Sequence, residues 1–190
     1  DSEDFILAYP QGTDQAGSGN IWNTLPEGAL ADNKADVDDF GFVAAMLDEL
    51  SSTYRIDAER VYATGYSNGA GFAYSLACHL SDRFAAVAPV SGLMWSASRD
   101  NCQATHPTSV LIINGTEDEA RPYEGWPGYM LSVEESIGFW TDHNDTRRAP
   151  TQSTFSDGEN TIEHSVYADG NKGSAVEVYK VVGGDHDWFG

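Results

Sequence analysis

A Gly-x-Ser-x-Gly segment at residues 65–69 is the part of this chain whose residue types and spacing most clearly allow chemistry. It follows an apolar run that ends at Thr64 and precedes a stretch of small residues that begins at Ala70. A sharp turn from a strand into a helix leaves such a serine exposed above a parallel sheet, and the two glycines remove side chains that would clash in the turn. Ser67 is therefore the candidate nucleophile.

This chemistry also needs an imidazole and a carboxylate, because a serine hydroxyl is a poor nucleophile near neutral pH. In an open α/β sheet, functional groups gather beyond the carboxyl ends of the strands. Asp118 follows a predicted strand that ends at Ile113, and His186 follows one that ends at Val182. The order Ser67, Asp118, His186 is that of an α/β-hydrolase triad.

Several neighbouring residues remain alternatives for these roles. Glu117 and Glu119 flank Asp118 and could supply the acid, although solvation at the surface is a simpler interpretation. The other four histidines do not follow a predicted strand as His186 does; they are His79, His106, His143 and His164. The acidic groups at residues 36–39 and 185–187 lack a recognisable metal-ligand spacing, so we expect no metal.

Five short apolar runs are predicted to be the strands that position these groups. The runs are continuous rather than alternating, as in a parallel sheet covered on both faces. They are Phe5–Tyr9, Val61–Ala63, Ala85–Ala88, Val110–Ile113 and Val176–Val182.

Besides the helix that follows Ser67, two helices are predicted between these strands. In the first, apolar residues recur at helical spacing from Phe40 to Leu50, with Asp36 placed as its N-cap. The second extends from about Val133 to His143. Strands that alternate with helices indicate an α/β fold with a mainly parallel sheet.

Composition limits the classes of protein and partner. The chain has 190 residues, 41% of them hydrophobic, which fits a single domain over residues 1–190. Its 30 acidic and 10 basic side chains give a net charge of -20, which would repel a phosphate backbone or an anionic membrane surface. No apolar run approaches the roughly 18 residues that a membrane span needs. We expect neither nucleic acid nor a membrane as partner.

Together these segments make the chain similar to the secreted polyhydroxybutyrate depolymerase and feruloyl or acetylxylan esterase group of α/β-hydrolases. The resemblance covers nearly the whole chain. The matching segments are Ala8–Thr13 with Trp22 and Asn23, Asp38–Phe42, Arg60–Gly69, Asp82–Val90, Asn114–Asp118 with Pro122 and Tyr123, Phe139 with Trp140, and Gly183–Gly190.

The resemblance implies a serine esterase that needs no cofactor. Its substrate would be a polyhydroxyalkanoate-like polyester, or the feruloyl and acetyl esters of a polysaccharide. The family's nucleophile, acid and base fall on Ser67, Asp118 and His186. The alternatives are a non-catalytic polymer-binding module on a hydrolase scaffold and, more distantly, a peptidase with the same triad.

The resemblance also suggests binding roles for residues around the nucleophile. The backbone N–H of Asn68 would donate to the oxyanion, since an oxyanion hole uses the residue after the nucleophile. Trp188 is the best candidate for a substrate contact. Trp22 and Tyr66 are further candidates, although core packing explains Trp22 equally well.

Cys78 and Cys102 occupy places where proteins of this group look disulfide-bonded. A bridge would stabilise the fold by about 3 to 4 kcal/mol in the chain-entropy model, and the alternative is a pair of buried free thiols. A disulfide would fit the oxidising surroundings of a secreted protein.

The family's first strands, with the His-Gly loop that supplies a second oxyanion donor, are expected to precede Asp1. The expected fold is therefore an α/β-hydrolase, a mainly parallel sheet flanked by helices, without those strands. We expect the second donor to come from a backbone N–H between Gly12 and Asn33, or from another subunit packed on the exposed sheet edge as a homo-oligomer.

Overall fold

The computed structural model describes residues 5–15, 17, 19–25 and 36–189. The α-helices in this part of the chain are α1 Asp39–Thr53, α2 Asn68–His79, α3 Ser96–Asp100 and α4 Val133–Asn144. The strands are β1 Thr13–Asp14, β2 Asn20–Ile21, β3 Tyr62–Tyr66, β4 Ala86–Val90, β5 Ser109–Gly115, β6 Thr151–Ser156, β7 Thr161–Tyr167 and β8 Val176–Val182. Two short 3-10 helices cover Ala58–Arg60 and Asn171–Gly173.

Six of these strands form one sheet in the order β3-β4-β5-β8-β7-β6. The first four are parallel, and β7 and β6 add to β8 as antiparallel strands. Strands β1 and β2 form a separate antiparallel pair. The predicted α/β fold with a mainly parallel sheet flanked by helices is confirmed.

The sequence did not predict the hairpin of β6 and β7. Every residue of β6 is exposed, and its sequence, Thr151–Ser156, is mostly polar, so no apolar run marks it. Its strand conformation depends on backbone pairing with β7, which in turn pairs with β8 over seven residues from Thr161 to Tyr167. Backbone pairing leaves no pattern in the side chains.

The hydrophobic core lies between one face of the parallel strands and the helices. Val87, Val110 and Val176 stand in register on β4, β5 and β8, and each is at most 1% exposed. Phe72 of α2 and Trp140 of α4 belong to the same cluster of buried residues. This face therefore holds the helices and strands together, chiefly by removing apolar area from water.

The opposite face of the sheet is less covered. Tyr62 and Thr64 of β3 are exposed, and Leu111, Ile113 and Tyr179 are only partly buried. The prediction that both faces are covered is therefore wrong for this face in the described part of the chain. A continuous apolar run shows that a strand can be buried on both faces, but it does not identify what covers it.

Helix α1 confirms the first predicted helix but not its cap. The carboxylate of Asp38 accepts a hydrogen bond of 2.7 Å from the Gly41 N–H, so Asp38 is the N-cap. Asp36 lies outside the helix with a left-handed φ of 58°. Both residues suit an N-cap by type, and only the backbone path selects one of them. Helix α4 covers the second predicted helix and begins with a capping box from Ser132 and Glu135.

The predicted strand Phe5–Tyr9 is wrong. Residues 5–10 have no regular secondary structure and are exposed, with 69% exposure at Phe5 and 87% at Tyr9. An apolar run forms a strand only where a neighbouring strand offers hydrogen-bond partners, because unpaired backbone groups prefer water. None of the described strands pairs with this segment, and β3 ends the main sheet.

The predicted disulfide between Cys78 and Cys102 is confirmed in the structure. It joins the end of α2 to the segment after α3, with an S–S distance of 2.08 Å and a Cα separation of 4.8 Å. The structure leaves no cysteine free. Across the described residues, the helices are too short or too polar for any to span a membrane.

Candidate active site

Ser67 stands at a strained turn between β3 and α2. Its φ of 55° and ψ of -112° lie outside the regions that non-glycine residues prefer. Its N–H donates to the Val90 carbonyl at 3.0 Å, which ties the turn to the end of β4. A Cβ on Gly65 would lie 2.2 Å from the Gly69 carbonyl oxygen, so the turn requires glycine there.

The second glycine of the motif does not have the predicted role of avoiding a clash in the turn. A Cβ on Gly69 would meet no atom within 4 Å, so Gly69 is not needed to avoid a clash. The close approach occurs at Gly92, where a Cβ would lie 2.4 Å from the Ala70 Cβ and 2.6 Å from the Ser67 carbonyl oxygen. Gly92 follows β4 at the same sheet edge, and the rule on strand ends could have identified it.

The three predicted triad residues come together at this edge. His186 Nε2 lies 3.0 Å from Ser67 Oγ, and His186 Nδ1 lies 2.7 Å from Asp118 Oδ2. Asp118 follows β5 and His186 follows β8, which are adjacent parallel strands. The result is a continuous hydrogen-bonded chain from hydroxyl to imidazole to carboxylate.

Asp118 is well suited to orient an imidazole. Its side chain is fully buried, and its second oxygen accepts a hydrogen bond of 2.6 Å from the Arg121 N–H. Both oxygens are therefore engaged, which fixes the carboxylate in one orientation. Glu117 and Glu119 are exposed, and the structure brings neither to His186 by hydrogen bond or ion pair.

The loop that carries His186 is bonded to three neighbouring strands. The Glu117 N–H donates to the Gly184 carbonyl at 2.9 Å, which joins the start of the loop to the end of β5. The hydroxyl of Tyr66 donates to the His186 carbonyl at 2.8 Å, and that of Ser91 donates to the Asp187 carbonyl at 2.5 Å. Sequence reasoning missed Ser91, although it follows β4 as Asp118 follows β5.

Tyr66 and Trp188 form an aromatic surface beside the triad. Tyr66 is 39% exposed and Trp188 52%, and their rings meet edge to face at 6.3 Å. Burial, followed by the negative charges of Asp118, Asp187 and Asp185, raises the pKa of Tyr66. The phenol therefore keeps its proton over the neutral range and remains a donor.

Trp22 lies on the other side of the turn, among core aromatics. Its ring stacks on Phe72 with centroids 4.9 Å apart, and a second stacked contact joins it to Phe42. Its backbone forms two hydrogen bonds with the Asn68 side chain, one from the Trp22 N–H at 2.7 Å and one to the Trp22 carbonyl at 3.1 Å. These contacts give Trp22 a packing role in the structure. Its role as a substrate contact stays a prediction.

The other four histidines lie away from this chain of hydrogen bonds. His79 is half-buried against Phe40, and burial lowers its pKa. His106 and His143 meet where His143 Nε2 contacts the His106 carbonyl at 3.1 Å. His164 lies on β7, in a second cluster described in the Discussion.

Metal-ligand groups do not appear in the described residues. Over residues 5–15, 17, 19–25 and 36–189, no three His, Cys, Asp or Glu side chains are placed to hold an ion together. The acidic group at residues 36–39 contributes the cap of α1 through Asp38 and accepts the Asn23 N–H through Asp39. Near the triad, Asp185 accepts the His186 N–H at 2.7 Å.

Comparisons with known proteins show which proteins this chain resembles. A family model described as Esterase PHB depolymerase matches residues 1–123. The NocK protein of Nocardia uniformis subsp. tsuyamanensis is 30% identical over 209 residues, which cover 100% of this chain and 58% of NocK. Feruloyl esterase B of Piromyces equi is 27% identical, over 95% of this chain and 33% of its own length. This chain therefore spans only part of these relatives.

Among solved structures, the Bacillus cereus carboxylesterase has a similar fold. It matches with a TM-score of 0.57 at 19% identity, over 94% of this chain and 66% of that one. At this level of identity, the match supports the fold rather than a particular substrate.

Proposed function

We propose, on the premise that this chain belongs to the Esterase PHB depolymerase family, that it hydrolyses carboxylic esters with Ser67, His186 and Asp118 as its catalytic triad. The observation that carries this proposal is the hydrogen-bonded chain of 3.0 Å and 2.7 Å that joins the three side chains. Asp118 contributes a buried carboxylate, and Ser67 an oxygen at the strained turn into a helix.

The reaction proceeds in two steps. Ser67 Oγ attacks the ester carbonyl carbon while His186 Nε2 takes its proton, and the imidazolium then protonates the departing alcohol. Asp118 holds the other nitrogen, Nδ1, and stabilises the charged imidazolium. Water, activated by His186 in the same way, releases the acyl group and restores Ser67.

The negative oxygen that forms during attack needs N–H donors. Asn68 begins α2, and no side chain caps that helix end, so the N–H groups that precede the Ala70 N–H, which binds the Ser67 carbonyl, can face a ligand. We assign the Asn68 N–H as one donor. The Trp22 N–H does not serve as the second, because it already binds the Asn68 side chain. Part of the predicted donor segment from Gly12 to Asn33 lies outside the described residues.

The proposed substrates follow from the relatives and from the aromatic surface. The family description names a polyhydroxybutyrate depolymerase, and one relative is named a feruloyl esterase. Tyr66 and Trp188 offer partly exposed rings that suit an aromatic acyl group or an apolar polyester chain. Acetyl esters of polysaccharide fit the same chemistry with a smaller acyl group.

Further proposals concern the surroundings of the enzyme. The bridge between Cys78 and Cys102 supports an oxidising, extracellular location. Residues 1–190 are proposed to act as one catalytic domain, and a second copy is proposed to pair along the free edge of β3. Light scattering after size-exclusion chromatography tests this pairing, because a monomer at every concentration would contradict it.

The central test compares this chain with its Ser67→Ala variant on p-nitrophenyl acetate. We expect measurable release of nitrophenol by the first and the background rate by the second. A fluorophosphonate probe should transfer one phosphonyl group to the wild-type chain with loss of HF, which intact mass detects, and should leave Ser67→Ala unlabelled. No hydrolysis and no labelling, together with binding to polyhydroxybutyrate particles, would instead identify a non-catalytic binding module.

Substrate class is tested with matched insoluble and soluble esters. Initial rates are measured on polyhydroxybutyrate films, methyl ferulate and acetylated xylan, each with Ser67→Ala as the blank. A Trp188→Ala variant is expected to lose rate on the polymer or ferulate but to keep its rate on p-nitrophenyl acetate. An equal loss on all of them would show that Trp188 is not a contact for the larger substrates.

A further inference from the structure

The His186 loop receives hydrogen bonds from two hydroxyl groups that the triad chemistry does not use. Tyr66 Oη donates to the His186 carbonyl at 2.8 Å, and Ser91 Oγ donates to the next carbonyl along the chain, that of Asp187, at 2.5 Å. Two consecutive carbonyls are thus held by two side chains, one at the end of β3 and one directly after β4. The pair of donors Tyr66 and Ser91 is called the hydroxyl clamp below.

Both donors are attached to rigid parts of the fold. Tyr66 is the last residue of β3, directly before the nucleophile. Ser91 directly follows β4, is fully buried, and extends the backbone pairing with a 2.8 Å hydrogen bond from its N–H to the Ile113 carbonyl. The clamp therefore holds the His186 loop in a defined position relative to the strands that also hold Ser67.

Ser91 has a backbone conformation that a serine seldom adopts. Its φ is 45°, in the left-handed region that favours glycine. Strain of this kind persists only where the surrounding structure imposes it, and it is concentrated at functional sites. At this position the strained backbone carries a hydroxyl whose hydrogen bond goes to the loop of the proposed catalytic base.

Tyr66 holds the loop in a second way. Its ring lies against the His186 imidazole, with centroids 4.8 Å apart and planes tilted by 40°. A phenol is protonated at neutral pH, and burial and the carboxylates of Asp118, Asp187 and Asp185 raise the pKa of Tyr66 further. The same side chain thus limits the imidazole by contact and the backbone by a hydrogen bond.

We propose that Tyr66 and Ser91 are positioning residues, and that the hydroxyl clamp sets the distance of His186 Nε2 from Ser67 Oγ. The clamp rests on the proposed function, because it acts on the base of that reaction. The start of the loop is joined to the segment after β5 by the Glu117 N–H on the Gly184 carbonyl and by the Gly183 N–H on Thr116 Oγ1, and the His186 imidazole binds Asp118 of the same segment. Beyond that point, the clamp supplies the side-chain contacts that connect the His186 backbone to the nucleophile's side of the sheet.

The test removes each hydroxyl while keeping the shape of its residue. Tyr66→Phe keeps the ring and Ser91→Ala keeps the Cβ, and each is expected to lower kcat on p-nitrophenyl acetate by about tenfold, with KM within about twofold. The double variant is expected to lose about a hundredfold, the size associated with a reacting group misplaced by about 1 Å. Tyr62→Phe is the matched control, since Tyr62 lies on the same strand and is 64% exposed.

Ser91→Gly separates positioning from stability. Glycine adopts a positive φ without strain, so this variant is expected to unfold at a higher urea concentration than Ser91→Ala. Both variants lack the hydroxyl, so kcat should fall by the same factor in each if Ser91 positions the loop. If kcat instead follows the unfolding midpoint across the two variants, Ser91 has only a structural role and the clamp is wrong.

A readout without turnover completes the test. The proton on His186 Nδ1 is hydrogen-bonded to Asp118 and should give a far-downfield proton NMR signal, which we expect to broaden or shift in Tyr66→Phe and Ser91→Ala but not in Tyr62→Phe. Wild-type kcat and an unchanged signal in both clamp variants, beside an inactive Ser67→Ala chain, would overturn the clamp alone. Hydrolysis by Ser67→Ala at the wild-type rate would overturn the proposed function and the clamp with it.

Discussion

Two regions of this molecule carry a serine, a histidine and a carboxylate joined by hydrogen bonds. The strand-end cluster consists of Ser67, His186 and Asp118. The sheet-surface cluster consists of Ser153 on β6, His164 on β7 and Glu177 on β8. In the second cluster, Ser153 Oγ lies 3.3 Å from His164 Nδ1, and His164 Nε2 lies 2.7 Å from Glu177 Oε1. Residue types and distances alone would hardly separate the two.

Their surroundings differ in every respect that matters for catalysis. The Asp118 side chain is fully buried, whereas that of Glu177 is 38% exposed and shares one oxygen between His164 and Tyr179. Ser67 stands at the start of a helix, where N–H groups can receive an oxyanion, but Ser153 lies within an exposed strand. Burial and backbone donors, more than composition, distinguish the strand-end cluster from the sheet-surface cluster.

Replacing the histidine of each cluster should give the largest difference in kcat between the two clusters. His186→Ala is expected to lower kcat on p-nitrophenyl acetate on the order of a millionfold, to the background rate, because the serine loses its base. His164→Ala should keep the wild-type kcat. A large loss in His164→Ala, with an unchanged unfolding midpoint, would show that the sheet-surface cluster takes part in the reaction.

Replacing the carboxylate of each cluster should give the next largest difference in kcat. Asp118→Asn is expected to lower kcat by about 10,000-fold, because the amide no longer favours the correct tautomer or stabilises the imidazolium. Glu177→Gln has the same change of shape and charge and should leave kcat unaltered. Activity of Asp118→Asn within about tenfold of wild type would instead point to Glu117 or Glu119 as the acid.

The disulfide is attached to the end of α2, the helix that begins beside Ser67, and should affect the two regions unequally. Its cysteines are 24 residues apart, and their replacement by alanine is expected to lower the free energy of unfolding by about 3.5 kcal/mol in the chain-entropy model. Urea denaturation measures this loss.

Hydrogen exchange then shows which elements lose stability when the disulfide is removed. Amides of α2, which ends beside Cys78, should exchange faster in the alanine variant, while those of β7 should change less. Equal acceleration in both elements would mean that the two regions open together and that the bridge has no local effect.

The smallest expected effect concerns the stability supplied by the sheet-surface cluster. His164 and Glu177 are 21% and 38% exposed, so solvent weakens their interaction. Glu177→Gln is expected to lower the free energy of unfolding by less than about 1 kcal/mol. Urea denaturation gives the value, with Glu163→Gln as a control that breaks a similar exposed pair with Lys180. A loss above about 3 kcal/mol would indicate an interaction more like a buried pair.

Much of the strand-end cluster was predictable because each of its residues is close in sequence to a recognisable strand. The apolar run before Ser67, the run before Asp118 and the run before His186 are the strands β3, β5 and β8. Parallel strands end at the same sheet edge, so placement along the chain implied proximity in space. The disulfide was predictable on another basis, a family resemblance that covers nearly the whole chain.

Other features had no such local signal. The apolar segment at Phe5 predicted a strand that the structure does not form, and the polar strand β6 gave no signal at all. Ser91 and Gly92 were also missed, because their importance arises from atoms far along the chain: the Asp187 carbonyl for Ser91 and the Ser67 carbonyl for Gly92.

The sequence by itself determined the candidate triad residues, their order and the strands that precede them, because these follow from local patterns of apolar residues and glycines. Only the tertiary structure decided that Asp118 is buried with both oxygens paired, and that Tyr66 and Ser91 bind the His186 loop. It also separated the strand-end cluster from the sheet-surface cluster. The physical reason is that burial and hydrogen-bond partners depend on contacts between distant segments, such as that between Ser67 and His186 at a sequence separation of 119, which no local pattern records.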